Sequence, residues 1–257
     1  MAREPKETDV MTAVPTQAPS SAFAPFRYRP FALLWTATLL SNIGTWMHDV
    51  SAAWLMTSLS PSPFVVSAVQ AATTLAMALF ALPAGAMADL FDKKRLLIGI
   101  TLVKAALATL LGLITLAGWV DAGSLLTITF LIGVCAALSA PIFQSIVPSL
   151  VPREVLKPAV ALNSMGVNVA RAIGPTLAGV IILASGVALS FFLNALSELF
   201  IIAALLIWKP TVTVRKGDPE RFIPAMTAGL RYAAHAPALK VVLQRAAAFF
   251  LAASAFW

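Results

Sequence analysis

Six runs of mostly apolar residues, each long enough to cross a bilayer, dominate this sequence: 31–59, 64–88, 96–118, 124–147, 158–185 and 187–208. A helix needs about 20 such residues to span the hydrocarbon core. Backbone polar groups in lipid must also be satisfied within the protein, which leaves a helical bundle as the natural solution for runs of this length. The expected fold is therefore all-α: a polytopic membrane protein of six transmembrane helices plus the start of a seventh at 239–257. The runs are separated by turn-forming residues: Ser60-Pro61-Ser62-Pro63, a basic loop at 85–95, Trp119-Val120-Asp121, the segment 148–157, and Gly186.

Composition agrees. The chain is 60% hydrophobic and 11% charged, with mean hydropathy +0.88, where soluble domains carry about 25% charged residues. Its +7 net charge is not spread evenly. Cations cluster in the N-terminal tail, at Lys93, Lys94 and Arg95, at Arg153 and Lys157, and from Lys209 to Lys240, while the alternate turns carry none. The positive-inside rule then places the N-terminus and these clusters in the cytoplasm, in a multi-pass protein of the inner or plasma membrane. The basic balance reports orientation and contact with anionic lipid, and implies no nucleic-acid partner. Cys135 is the single cysteine, so no intrachain disulfide forms. No Cys/His cluster suggests a metal and no G-x-x-x-x-G-K-[ST] loop suggests ATP hydrolysis. No nucleophile–base constellation suggests an enzyme, and no cofactor is expected.

Residues 1–25 hold no apolar core of a signal peptide and read as a disordered cytoplasmic tail. The six-helix domain occupies 26–208. A cytoplasmic connector follows at 209–238, extended after Pro210, turning at Gly217-Asp218-Pro219, then helical where Phe222, Ile223, Met226 and Leu230 share a face. The apolar run from 239 reads as a seventh span that stops early, so the chain is expected to be truncated and inactive alone.

Ionisable residues inside apolar spans are costly and default to functional candidates. Asp49, Lys104, Arg171 and Glu198 qualify. Asn42, Thr45 and Asp49 form a polar stripe on the first helix, where a buried carboxylate can carry a proton or hold a cation. A solvated or purely structural Asp49 is the competing reading. Arg171 and Glu198 lie about 22 Å and about 18 Å from the Gly186 turn at 1.5 Å rise per residue, so a buried ion pair between them is expected. Lys104 lies about 13 Å along its helix from Arg95, and its favoured reading is a side chain snorkelling to the interface. On the fifth helix, Gly174 and Pro175 are expected to allow a bend, and Gly166 and Gly179 to permit close packing. Asn168 adds a polar group to that span. Phe26, Tyr28, Trp119 and Trp208 fall where an aromatic interfacial belt belongs.

The segment 85–95 contains Gly85, Asp89, Asp92, Lys93, Lys94 and Arg95. It resembles the loop between the second and third helices of major facilitator superfamily transporters, G-x-x-x-D-[RK]-x-G-[RK]-[RK], with Leu90 and Asp92 as departures. Further pieces are similar to the enterobactin-exporter-like, or transmembrane secretion effector, branch. They are Gly44-Thr45-Trp46, Pro83-Ala84-Gly85, Val151-Pro152-Arg153-Glu154, and the run from Ala161 to Pro175 with its G-P-x-x-x-G element. The resemblance covers 26–257. It implies the N-terminal half of a secondary active exporter of siderophores, drugs or similar small molecules, driven by protons through alternating access. It also implies an inner gate at 85–95, with Asp89 docking on a second six-helix half. That half would come from a missing segment, a separate polypeptide or a second copy. Asp49, with Asn42 and Thr45, would serve the proton or cation, and Arg171 would bind an anionic cargo if Glu198 does not neutralise it. The Arg found in the fourth helix of proton-coupled relatives is absent. The alternative is a non-transporting membrane scaffold or half-size partner subunit.

Overall fold

The computed structural model describes residues 21–209 and 237–254. A short 3-10 turn, Ala24–Arg27, leads into α1 (Arg29–Leu59), α2 (Pro63–Leu90), α3 (Lys93–Leu116), α4 (Ala122–Leu150), α5 (Leu156–Ser185), α6 (Val187–Ile207) and α7 (Pro237–Ser254). The described residues contain no strand. Five helices, α2 to α6, are long and apolar enough to cross a membrane. At 31 residues α1 is long enough but falls outside that set, because polar residues from Thr36 to Ser58 dilute its hydropathy. Most of the expected tail and nearly all of the connector lie outside the described residues.

Caps fix the helix ends. Proline at the start of α1 and α2 sits where the missing N–H is harmless. The Asp92 carboxylate accepts from the Arg95 backbone N–H at 2.8 Å and starts α3. Asp121 accepts from the Ser124 N–H at 2.8 Å while the Ser124 hydroxyl accepts from the Asp121 N–H at 3.0 Å, a capping box at α4. Those bonds from Ser124 hold the Asp121 carboxyl below its ordinary pKa. α3 closes at Gly118, φ 71°, with Trp119 N–H reaching Ile114 O and Gly118 N–H reaching Thr115 O.

Gly186 alone joins α5 to α6, at φ 83° and ψ 169°. Side chains with a Cβ rarely adopt that conformation, and occupying it costs about 1–3 kcal/mol. Gly186→Ala is expected to lower the unfolding free energy of the purified chain by that amount. A melting temperature unchanged from wild type would show that the turn relaxes without strain.

Two corrections concern the α2–α3 junction. The expected loop at 85–95 is mostly helix: α2 continues through Gly85 to Leu90, and only Phe91 and Asp92 separate it from α3. The alanine-rich stretch from Ala84 to Ala88 supports continuation, since alanine is the best helix former. Among the described residues, a Cβ on Gly85 would meet nothing within 4 Å. The side chain of Asp89 lies outside the described residues. Lys94 turns to α6, donating to Trp208 O at 2.6 Å and Leu206 O at 3.3 Å. A cation at a helix C-terminus satisfies orphan carbonyls and meets the negative end of the dipole. Trp208 is buried there and is no belt residue, whereas Trp119 is 81% exposed.

Helix α1 lies between α5 and α6; α6 also packs on α3, α3 on α4, and α4 on α2. Two apolar clusters fill the bundle. One, around Phe31, Leu97, Ile146 and Leu205, occupies the end carrying Lys94. The other, around Met56, Leu111, Leu125 and Phe191, occupies the end carrying Gly186. Ser41, Lys104 and Glu198 are buried between them, and His48 and Asn194 are buried beside the second. The outer faces carry exposed leucine, valine and phenylalanine, such as Leu79, Leu113 and Val180, as lipid contact requires.

A buried charged centre beside a polar cavity

Side chains of α1, α3 and α6 converge at mid-depth. Lys104 Nζ lies 2.7 Å from Glu198 Oε1 and donates to Thr45 Oγ1 at 3.1 Å. The Ser41 hydroxyl donates to the same Glu198 oxygen at 2.8 Å. Both charged side chains are nearly removed from solvent. Gly44 makes the convergence possible: a Cβ there would collide with Ser197 Oγ and stand 3.1 Å from Asn194 Cα, so α1 and α6 cross almost backbone to backbone.

The pair forms one wall of a cavity of about 660 Å³. Asn42 and Thr45 line it from α1, Thr101 from α3, Ser139 and Gln144 from α4, and Asn163 from α5. Phe143 and Val147 line the end toward Lys94. Such a volume and mix, apolar walls with a few converging polar groups, suits a small amphipathic molecule.

Several expectations change here. Arg171 does not pair with Glu198. α5 and α6 follow each other in sequence, yet α1 separates them over most of their length, so Lys104 of α3 reaches Glu198 instead. Arg171 is exposed, its guanidinium 5.0 Å from the Trp46 ring centroid. Lys104 is 8% exposed and does not snorkel, because a carboxylate and a hydroxyl meet it inside the bundle. Asn42 and Thr45 line the cavity, while Asp49 is half-buried one turn further along α1 and does not. Asn168 is exposed and donates to Ser164 O of its own helix at 2.9 Å. A Cβ on Gly166 would stand 3.5 Å from the Trp35 ring, ordinary van der Waals contact, and Trp35 Nε1 donates to Leu162 O. Gly174 makes the tight α1–α5 contact, whereas a Cβ placed on Gly179 would meet nothing within 4 Å among the described residues.

Ser41 and, toward the Gly186 end, His48, Ser51, Ser190 and Asn194 are not among the expected site residues. Their signal is a helical repeat: Ser41, Gly44, His48 and Ser51 share one face of α1, and Ser190, Asn194, Ser197 and Glu198 share one face of α6. Among the described residues, no group of three or more His, Cys, Asp or Glu is placed to hold a metal.

Long apolar helices around a buried ion pair and a polar cavity define a polytopic membrane protein. The transmembrane secretion effector family model matches residues 20–257, and the chain belongs to that family of the major facilitator superfamily. It is 27% identical over 191 residues to the staphyloferrin A transporter of Staphylococcus aureus (strain NCTC 8325 / PS 47), covering 74% of this chain. The chain spans about half of that relative's length, 48%.

Proposed function

We propose that this chain supplies the first six-helix half of a secondary active exporter of small amphipathic molecules, of siderophore or drug type, working by alternating access and driven by protons. The observation that carries the reading is the Lys104–Glu198 pair on the wall of the cavity. Export against a gradient requires that cargo and proton compete. A cargo that donates hydrogen bonds to Glu198 competes directly with a proton there. Protonation also leaves Lys104 without its counter-charge, so the wall changes from balanced to net positive. Asp49 is a second proton or cation site along the same helix. Arg171, free of Glu198, can meet an anionic cargo group or a second half.

The uncovered faces of α2 and α5 fit a second six-helix body, supplied by another polypeptide segment or another copy. The α2–α3 junction, with Gly85, Asp89 and Asp92, would form the inner gate in a cytoplasm-facing orientation, and Lys94 fixes it to the end of α6. The N-terminus is placed in the cytoplasm and the protein in the inner or plasma membrane. A non-transporting scaffold is the rival reading, and it needs no titrating group at mid-depth.

Staphyloferrin A, named for the relative, is the first cargo to test. With the chain in proteoliposomes, or joined to a second half if it is silent alone, Glu198→Gln is expected to cut pH-gradient-driven flux by roughly 100-fold, the usual scale for losing a proton-transfer group. Gradient-driven flux unchanged in Glu198→Gln would remove that residue from coupling. No flux in any arrangement would favour the scaffold.

A further inference from the structure

The polar seam between α1 and α6 continues past Glu198 toward the Gly186 end. One to three turns on come His48 and Ser51 on α1 and Ser190 and Asn194 on α6, the helix that packs against it. All four are completely buried. The His48 ring lies 5.2 Å from the Phe191 ring. Among the described residues, neither nitrogen of His48, neither hydroxyl and neither end of the Asn194 amide has a protein hydrogen-bond partner.

Leaving such a group unsatisfied forfeits its hydration with nothing in return. Clusters of them in folded proteins are satisfied by ordered water, each water using two to four polar partners. The kinds of group present decide what the seam can hold. A cation site would offer acceptors and an anion site donors, whereas imidazole, amide and hydroxyl each offer both. That mixture lets a file of water point either way, which proton transfer requires.

We propose that this seam is a hydrated relay through which Glu198 exchanges protons with the Gly186 end of the bundle. The proposal rests on the coupling role given to Glu198 above. Asn194 is one turn, about 6 Å, from Glu198 on α6. Both contacts of Glu198 are made by Oε1, so neither uses Oε2. An excess proton enters at the Gly186 end, and each water accepts one proton and passes one on. His48 takes a proton on one ring nitrogen and releases one from the other. The Glu198 carboxylate takes the last, leaving a neutral acid beside the Lys104 ammonium, and no electrons move.

Apart from the cations at the far helix ends (Arg29, Lys93, Lys94, Arg95 and Lys157), the other titratable groups of the helices around the seam are Asp49 next to His48 on α1, Lys104 on α3 and Cys135 on α4. Arg171 of α5 lies over Trp46, which is turned about 200° from Gly44 on α1 and so away from the seam.

The test uses the full chain in lipid nanodiscs and the infrared carboxyl band of Glu198, assigned by its loss in Glu198→Gln. After a rapid pH jump, His48→Phe is expected to slow the growth of that band by roughly tenfold or more, whereas His48→Gln, still polar, keeps most of the rate. The titration midpoint stays put, which a general loosening of the fold would not allow. An unchanged rate, or a shifted midpoint with an unchanged rate, overturns the relay and leaves the coupling role of Glu198 standing. A Glu198 that takes up no proton overturns both. Should His48→Phe not fold, Ser51→Ala combined with Ser190→Ala removes both hydroxyls at little change in volume and must slow the same step; no slowing overturns the relay.

Discussion

Lys104→Met is expected to destabilise the bundle by about 3–5 kcal/mol, the usual cost of leaving one partner of a buried ion pair alone. Glu198 is 1% exposed, and its remaining protein contact at Oε1 is the Ser41 hydroxyl. One hydroxyl does not offset the desolvation of a carboxylate, so the group would protonate or draw water into the bundle. The companion result discriminates between causes. Replacing both residues, Lys104→Met with Glu198→Leu, is expected to restore stability to within about 1 kcal/mol of wild type or above it, because apolar pairs of similar volume replace buried ion pairs well. Denaturant titration of the purified chain in mixed micelles reads both. If the single change costs under about 1 kcal/mol, the ammonium contributes little in the folded state. If the double variant stays as damaged as the single, the loss comes from packing and not from charge.

That contrast also bears on function. A pair that can be replaced without loss of stability is not there to hold the bundle together. Its presence between two complete apolar clusters then needs another reason, and proton exchange on a cavity wall supplies one.

The sequence makes the helices legible and leaves their neighbours obscure. Apolar run length places each of α1 to α6 within a few residues, because lipid leaves so few alternatives to the helix. The centre is half legible. Burial cost marks Lys104 and Glu198 as unusual, yet adjacency in sequence points Glu198 to Arg171, the wrong partner. Depth along a helix follows from rise per residue, but which helices share a face depends on packing, and α1 lies between α5 and α6. The α1–α6 seam is written in the spacing of Ser41, Gly44, His48 and Ser51. It is hard to single out because serines and a glycine in an apolar span look like ordinary packing residues. The junction at 85–95 differs from expectation for a local reason: charge at Lys93 to Arg95 signals a membrane face but says nothing of where α2 stops.

The fifth helix provides the second large effect, where Gly174 and not Gly179 makes the close contact. Gly174→Ala is expected to cost about 1–3 kcal/mol by overpacking the α1–α5 contact. A Cβ at 174 would stand 2.5 Å from Trp46 Cβ and 3.1 Å from Ile43 O. Neither is the far end of a flexible side chain, so α1 and α5 must move apart. That movement would also disturb the stacking of Arg171 on Trp46, making the emission of the tryptophans a second readout. Gly179→Ala is the matched control on the same helix. With nothing within 4 Å, its Cβ meets open space, and alanine gains up to about 1 kcal/mol in helix propensity. The two substitutions should therefore move the melting temperature in opposite directions. If both stabilise, the α1–α5 contact yields easily and Gly174 is there for another purpose, such as the bend next to Pro175. If both destabilise, something covers Gly179 in the membrane, and the exposed face of α5 is occupied by a partner.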